Sequence, residues 1–216
     1  MAGLPETRPL LCYITDRRGV GGEDLLGVID RAVAAAAADL IQIREKDMAT
    51  RPLLALVESA MAAALVGHAM AHHRAPEPRI LVNDRLDVAL AAKADGVHLP
   101  AHGLPVAEVR RAYPEMLIGA SCHTLEELRA AEAGGADFAV FGPVFAPLSK
   151  AFERPVLGLE KLGEAVRAVK IPVLALGGIT VENAAECLRA GAAGVAGITL
   201  FQSGNLSETI GRMRAL

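Results

Sequence analysis

The chain has no tryptophan, and aromatic residues make up 3% of its 216 residues. A core without large rings must be filled by many small and branched aliphatic side chains. With 52% hydrophobic residues the supply is ample, and one well-packed domain over residues 1–216 is favoured over two small ones. Cysteine is also scarce. Cys12, Cys122 and Cys187 are far apart with no C-x-x-C, which excludes a disulfide framework and a cysteine zinc site and suits a reduced, cytoplasmic protein. No charge dominates: the net charge is -3, which gives no general attraction to nucleic acid. The opening residues MAGLPETRPL lack a basic segment followed by an apolar core, so no signal peptide is expected. Charged residues interrupt the alanine-rich stretches, so no membrane span is expected either.

What is present is a repeated alternation of short apolar runs and amphipathic, alanine-rich segments separated by glycine-containing turns. The clearest example runs from Ile171 to Thr199. Residues 172–176 form an apolar run that ends at Gly177-Gly178, as expected for a strand buried on both faces. Thr180 stands at a helix N-cap position before residues 181–190, Gly191 closes that helix, and residues 194–198 form the next strand. Strands are expected at 10–15, 40–44, 79–82, 96–99, 117–121 and 138–141 as well. Helices are expected at 23–37, 52–66, 86–92, 106–113, 124–133, 160–169 and 207–215, with Thr124 and Glu127 forming a capping box. Eight such units with a glycine pair after the seventh strand favour an α/β fold closed into a single-domain (β/α)8 TIM barrel over a doubly wound sheet. The glycine pair would admit a phosphate close to backbone amides at that rim.

Chemistry-bearing residues gather at the C-terminal ends of the expected strands. Gln42, Arg44 and Lys46 alternate, which puts them on one side of a strand. Asn83 and Asp84 follow the third strand and either serve a site or cap the next helix. His98 lies in the fourth strand, as a core histidine satisfied by backbone or as a site residue. Ser121 ends the fifth strand, with His123 two residues on. The longest loop, residues 142–155, carries Lys150, a ready anion ligand, and loops of that length in compact barrels usually serve function. His68, His72 and His73 lie far from any strand end and read as surface residues. Gly19, Gly21 and Gly22 read as a mobile loop and not as a G-x-G-x-x-G before a helix, so they are weak as a nucleotide fingerprint.

Six motifs then stand in a familiar order: Tyr13-Ile14-Thr15-Asp16, Gln42-Ile43-Arg44-Glu45-Lys46, Asn83-Asp84-Arg85, Asp95-Gly96-Val97-His98-Leu99, Gly142-Pro143-Val144-Phe145 with Lys150, and Gly177-Gly178-Ile179-Thr180. Across nearly its whole length the chain resembles the thiamine phosphate synthase family and its sister branch, the thiazole tautomerases. The resemblance implies a barrel enzyme of thiamine biosynthesis that joins hydroxymethylpyrimidine diphosphate to thiazole phosphate and releases pyrophosphate. It implies that Arg44, Lys46, Asn83 and Lys150 hold the pyrophosphate, with Arg44 and Lys150 catalytic. Gln42 and Ser121 would address the pyrimidine, and backbone amides at Gly178, Ile198 and Thr199 would take the thiazole phosphate. Asp84 would hold Mg²⁺. The partners implied are these small phosphorylated substrates, with neither nucleic acid nor membrane, and the choice between monomer and homodimer stays open.

Two departures stand out. The synthase pattern His-x-Gly-Gln-x-Asp supplies a second magnesium carboxylate, but the matching residues here run from His98 to Gly103, and the carboxylate is replaced by Gly103. The Thr-x-Thr-Lys of the sixth loop reads Pro147, Leu148, Ser149, Lys150, so Pro147 offers no hydroxyl. Both changes lean toward the tautomerase branch, in which His123 would be the catalytic proton shuttle and no metal is needed. Lys46 and Asp84 lean back toward the synthase. A non-catalytic binder of thiazole phosphate or thiamine phosphate is a third reading.

Overall fold

A computed structural model describes residues 4, 8–21, 24–34, 38–70, 77–146, 155–202 and 205–216. Eight parallel strands close into a barrel in sequence order: β1 (Leu10–Ile14), β2 (Leu40–Ile43), β3 (Arg79–Asn83), β4 (Gly96–Leu99), β5 (Leu117–Cys122), β6 (Phe138–Phe141), β7 (Val173–Leu176) and β8 (Gly194–Gly197). Closure is made by β8 against β1, with Leu10 opposite Gly194 and Cys12 opposite Ala196. The outer helices are α1 (Leu25–Ala34), α2 (Thr50–Met70), α3 (Leu86–Ala92), α4 (Val106–Ala112), α5 (Leu125–Ala133), α6 (Gly158–Ala168), α7 (Val181–Arg189), α8 (Thr199–Gln202) and α9 (Leu206–Arg214).

Strand alternation sorts the side chains into two cores. Leu10, Cys12, Ile14, Leu40, Leu81, Phe138, Val140, Leu174 and Ala196 fill the barrel interior. Their neighbours, such as Leu11, Ile41, Ile80, Val97, Ile118, Ala139 and Val195, pack outward against the helices. The few rings are used in both layers, Phe138 in the interior and Tyr13, Phe141 and Phe201 in the outer core, and small and branched residues fill the rest.

The expected helices are present with shifted ends. The largest difference is α2, which runs to Met70 where the sequence predicts an end near residue 66. Among the described residues it is the one helix long and apolar enough to cross a membrane. Its inner face, Leu53, Val57, Ala60 and Ala64, is buried in the core shared by the barrel's outer layer. The short helix α8 has no expected counterpart. Thr180 caps α7 as expected, in a capping box completed by Asn183. Thr124 accepts from the Glu127 amide at 3.1 Å, but the Glu127 carboxylate accepts from the His123 amide at 2.6 Å instead of that of Thr124.

The N-terminal rim is tied by a device that recurs three times. Ala38-Asp39, Ala94-Asp95 and Ala136-Asp137 each immediately precede an even-numbered strand. Each carboxylate accepts a backbone N–H from the preceding strand: Leu11 to Asp39 at 2.8 Å, Ile80 to Asp95 at 2.8 Å and Ile118 to Asp137 at 2.6 Å. Each is also held by arginine: Arg8 and Arg214 on Asp39, Arg79 on Asp95 and Arg110 on Asp137. The second N–H of β1, β3 and β5 is thereby satisfied by a charged acceptor.

Candidate active site

The opposite, C-terminal rim gathers the remaining polar residues. β2 turns Gln42 into the barrel interior beside Leu40, where it is 3% exposed. The strand ends at Ile43, and Arg44, half-buried, continues the alternation to the mouth, its amide donating to the Thr15 hydroxyl at 2.9 Å. Lys46 departs from the expected alternation. Residues 45–48 form a turn closed by the Met48 amide on the Glu45 carbonyl at 3.1 Å, and Lys46 lies exposed in that turn.

Glu45 is a residue that the sequence reading passed over. It is 5% exposed, and its carboxylate accepts from the Thr15 hydroxyl at 2.7 Å and from the Arg17 amide and guanidinium at 3.2 and 3.1 Å. This one buried carboxylate pins the loop after β1 to the loop after β2, and so fixes Arg44 and Lys46 on either side of it. A carboxylate standing directly after a strand between two cations was the available signal.

β3 delivers Asn83 and Asp84. Neither caps α3, whose N-cap is Arg85 with no side-chain cap. Asp84 is exposed, with φ +64°, and its amide donates to the His98 carbonyl at 2.9 Å. Left-handed backbone is uncommon outside glycine and costs least for Asn and Asp. It lifts the Asp84 side chain to the rim of a cleft of about 290 Å³ that Lys46, Asn83, Arg85 and Pro100 also line.

Gly103 reaches the same place. A Cβ added there would lie 3.1 Å from Asp84 Oδ1 and 2.9 Å from the Pro100 ring. The position of the missing carboxylate is therefore adjacent to Asp84, and the Pro100 turn, closed by the Gly103 amide at 2.9 Å, leaves little room for a side chain. Among the described residues no three acidic, histidine or cysteine side chains converge as a metal centre. A single exposed carboxylate in a cleft that also carries Lys46 and Asn83 still fits a magnesium ion whose remaining ligands are phosphate oxygens and water.

β4 and β5 bring His98 and Ser121 together, with Nε2 2.8 Å from Ser121 Oγ. Burial, with the nearby Arg44 charge adding to it, pushes the His98 imidazole down to about 3, so it is neutral. His123, half-buried, sets Nδ1 2.6 Å from the Gly142 carbonyl. A carbonyl only accepts, so Nδ1 carries the proton there.

On the far side of the mouth, Gly177 and Gly178 have φ of +98° and +60°. A Cβ on Gly178 would lie 2.5 Å from the Ala146 carbonyl oxygen, and one on Gly177 would lie 2.5 Å from Pro143 Cβ. What the glycine pair admits is therefore the segment after β6, which hydrogen-bonds onto β7 through Val144 to Leu176 at 2.7 Å and Phe145 to Gly177 at 3.0 Å. The space that the glycine pair opens is therefore shared with that segment. Ile198 and Thr199 follow β8 on the same rim, half-buried and exposed respectively. Lys150 and Pro147 lie outside the described residues, as do His72, His73 and residues 147–154 of the long loop.

All described candidates thus stand on one rim of one barrel, with side chains from β2 to β5 facing backbone turns from β7 and β8. This is a (β/α)8 barrel with its polar residues gathered at one mouth, the class in which chemistry sits beyond the strand C-termini. The chain belongs to the thiamine monophosphate synthase family, which it matches over residues 11–201. It is 45% identical over 190 residues to a putative thiamine-phosphate synthase of Geobacter sulfurreducens, covering 86% of this chain and 83% of that protein. It is 39% identical over 207 residues to the thiamine-phosphate synthase of Chlorobium luteolum, covering 94% and 90%. Among solved structures, a thiamine phosphate pyrophosphorylase from Pyrococcus furiosus superposes with a TM-score of 0.79 at 33% identity, over 95% of this chain and 94% of that one.

Proposed function

We propose that this chain is a thiamine-phosphate synthase that joins hydroxymethylpyrimidine diphosphate to thiazole phosphate with release of pyrophosphate. The observation that carries the reading is the pairing of Asn83 and Asp84, both released from capping α3, with Lys46 around one cleft at the strand C-termini. Relatives at about 40% identity over most of the chain carry that activity in their names.

The demanding step is departure of pyrophosphate from the pyrimidine methylene, which leaves a delocalised carbocation for the thiazole nitrogen to attack. Charge grows on the leaving group, so donors and cations aimed there lower the barrier most. On this reading Arg44, Lys46, Asn83 and Lys150 hold the pyrophosphate. Glu45 fixes the loop that presents two of them. Gln42 and Ser121 orient the pyrimidine, and amides at Gly178, Ile198 and Thr199 hold the thiazole phosphate. Asp84 would hold Mg²⁺, which when bound neutralises charge on the diphosphate. No general base is required, because the nucleophile is a neutral ring nitrogen.

Gly103 beside Asp84 favours a second reading, a metal-independent thiazole tautomerase with His123 as the proton shuttle. A paired assay separates the two. Pyrophosphate release from both substrates with Mg²⁺, abolished by chelation, is the expected result. Absence of turnover in excess Mg²⁺ together with isomerisation of the carboxylated thiazole phosphate would overturn it.

A further inference from the structure

His98 has no part in the reaction just described, yet the interior is built around its ring. A Cβ at Gly119, its partner across β4 and β5, would lie 2.6 Å from His98 Nδ1 and 2.4 Å from Phe138 Cζ. Residue 119 is therefore left without a side chain where the imidazole and the phenyl ring meet, their centroids 5.9 Å apart. The ring is 2% exposed. One nitrogen, Nε2, reaches Ser121 Oγ at 2.8 Å, while the other, Nδ1, is buried with no hydrogen-bond partner.

That asymmetry fixes the proton. A neutral imidazole carries one N–H. Placing it on Nδ1 would bury a donor with nothing to receive it, which native structures avoid more strictly than a bare acceptor. The proton therefore belongs on Nε2, and His98 donates to Ser121. A hydroxyl that already accepts from His98 has its own proton left to give. Ser121 is half-buried, two residues nearer the mouth than Gly119, so it is the member of the pair that meets substrate.

We propose that His98 is a positioning residue that donates through Nε2 to Ser121 Oγ and thereby commits the Ser121 hydroxyl to donate to a ring nitrogen of the pyrimidine substrate. The inference rests on the pyrimidine reading of the mouth. It accounts for an imidazole placed where it cannot touch the diphosphate, and it gives the pocket a sense of polarity. A ring acceptor is recognised by the Ser121 proton, which His98 cannot take up. A substrate analogue with that ring nitrogen replaced by C–H loses the contact.

Two measurements test it. Long-range nitrogen–proton NMR on the histidine-labelled full chain, with His98 assigned by its loss in His98→Gln, should show the Nε2–H tautomer. The Nδ1–H tautomer would overturn the proposal whether or not the enzyme turns over. In the synthase assay, His98→Leu should lower kcat/KM for the pyrimidine diphosphate by about tenfold to thirtyfold. KM for thiazole phosphate should be unmoved, and His98→Gln, which returns an N–H near the Nε2 position, should recover most of the loss. In a Ser121→Ala background His98→Leu should add no more than about twofold. An additive loss, or an equal loss for both substrates, would mark a packing role and sink the proposal. A wild-type chain that releases no pyrophosphate would instead remove the synthase reading and leave the tautomer result to judge His98.

Discussion

The two rims of the barrel use the same residue types to opposite ends. At the N-terminal rim Asp39, Asp95 and Asp137 each accept a strand N–H and pair with arginine, so their charge is consumed inside the fold. At the C-terminal rim Asp84 stands exposed on a left-handed backbone, with Lys46 on the same cleft. Glu45 is the exception on that side, a buried carboxylate spent on holding loops. The difference teaches where stability and chemistry are kept apart: one rim spends its carboxylates on three strand amides and their arginines, and the other leaves the Asp84 carboxylate facing solvent for a ligand to complete.

Substitutions on the two rims should therefore fail in different ways. Asp84→Asn should show the largest effect, a fall of about a thousandfold in kcat/KM for pyrophosphate release, with urea-unfolding stability unchanged because Asn also accepts left-handed backbone. Loss of stability without loss of turnover would break the comparison. Asp39→Ala should do the reverse. It strands Arg8, Arg214 and the Leu11 amide and should cost about 3 kcal/mol in unfolding free energy. The protein that remains folded should keep its KM for both substrates.

How far the sequence disclosed these rims follows from which signals are local. Strand order, barrel closure and the Thr180 cap were legible because apolar runs, turn glycines and capping residues act within a few positions. Asn83, Asp84, Ser121 and Gly178 were legible as rim residues because they lie at or just past the C-terminal ends of apolar runs. The triple Ala-Asp before β2, β4 and β6 was printed in the sequence and went unread, since each carboxylate's partner lies 15 to 28 residues away on the neighbouring strand. The close approach of residues 143–146 to Gly177-Gly178 was not legible at all. Nothing in a glycine pair says whether a ligand or another loop will occupy the space it opens. Lys46 was placed by extending a strand alternation past Ile43, where a turn had already ended it.

His98 sharpens the comparison through pH. Unfolded, it takes up a proton below its ordinary value of 6.5, while in the fold it stays neutral down to about 3. Between these values the unfolded chain binds more protons, so stability falls as pH drops, by up to about 1.4 kcal/mol per pH unit. Unfolding midpoints measured from pH 7 to pH 5 should decline in the wild type and decline less in His98→Gln. A decline of equal slope in both would show that the buried imidazole is not what the acid limb reports.

The smallest effect is expected at His123, and its smallness is informative. Its ring donates from Nδ1 to the Gly142 carbonyl, and its amide donates to Glu127, so the residue ties the end of β5 to the start of the long loop. Cutting that tie should cost about 1 kcal/mol of stability. In a synthase, bond breaking is driven by charge placed on pyrophosphate, and a proton shuttle has nothing to carry, so His123→Ala should lower turnover by no more than about fivefold through loosening of the loop. In a tautomerase the same change would remove the group that moves the proton, a loss of about a hundredfold or more. Measuring His123→Ala beside Asp84→Asn therefore asks one mouth which of two chemistries it performs, and a ranking with His123 above Asp84 would reverse the assignment of catalytic weight to the β3 side of the rim.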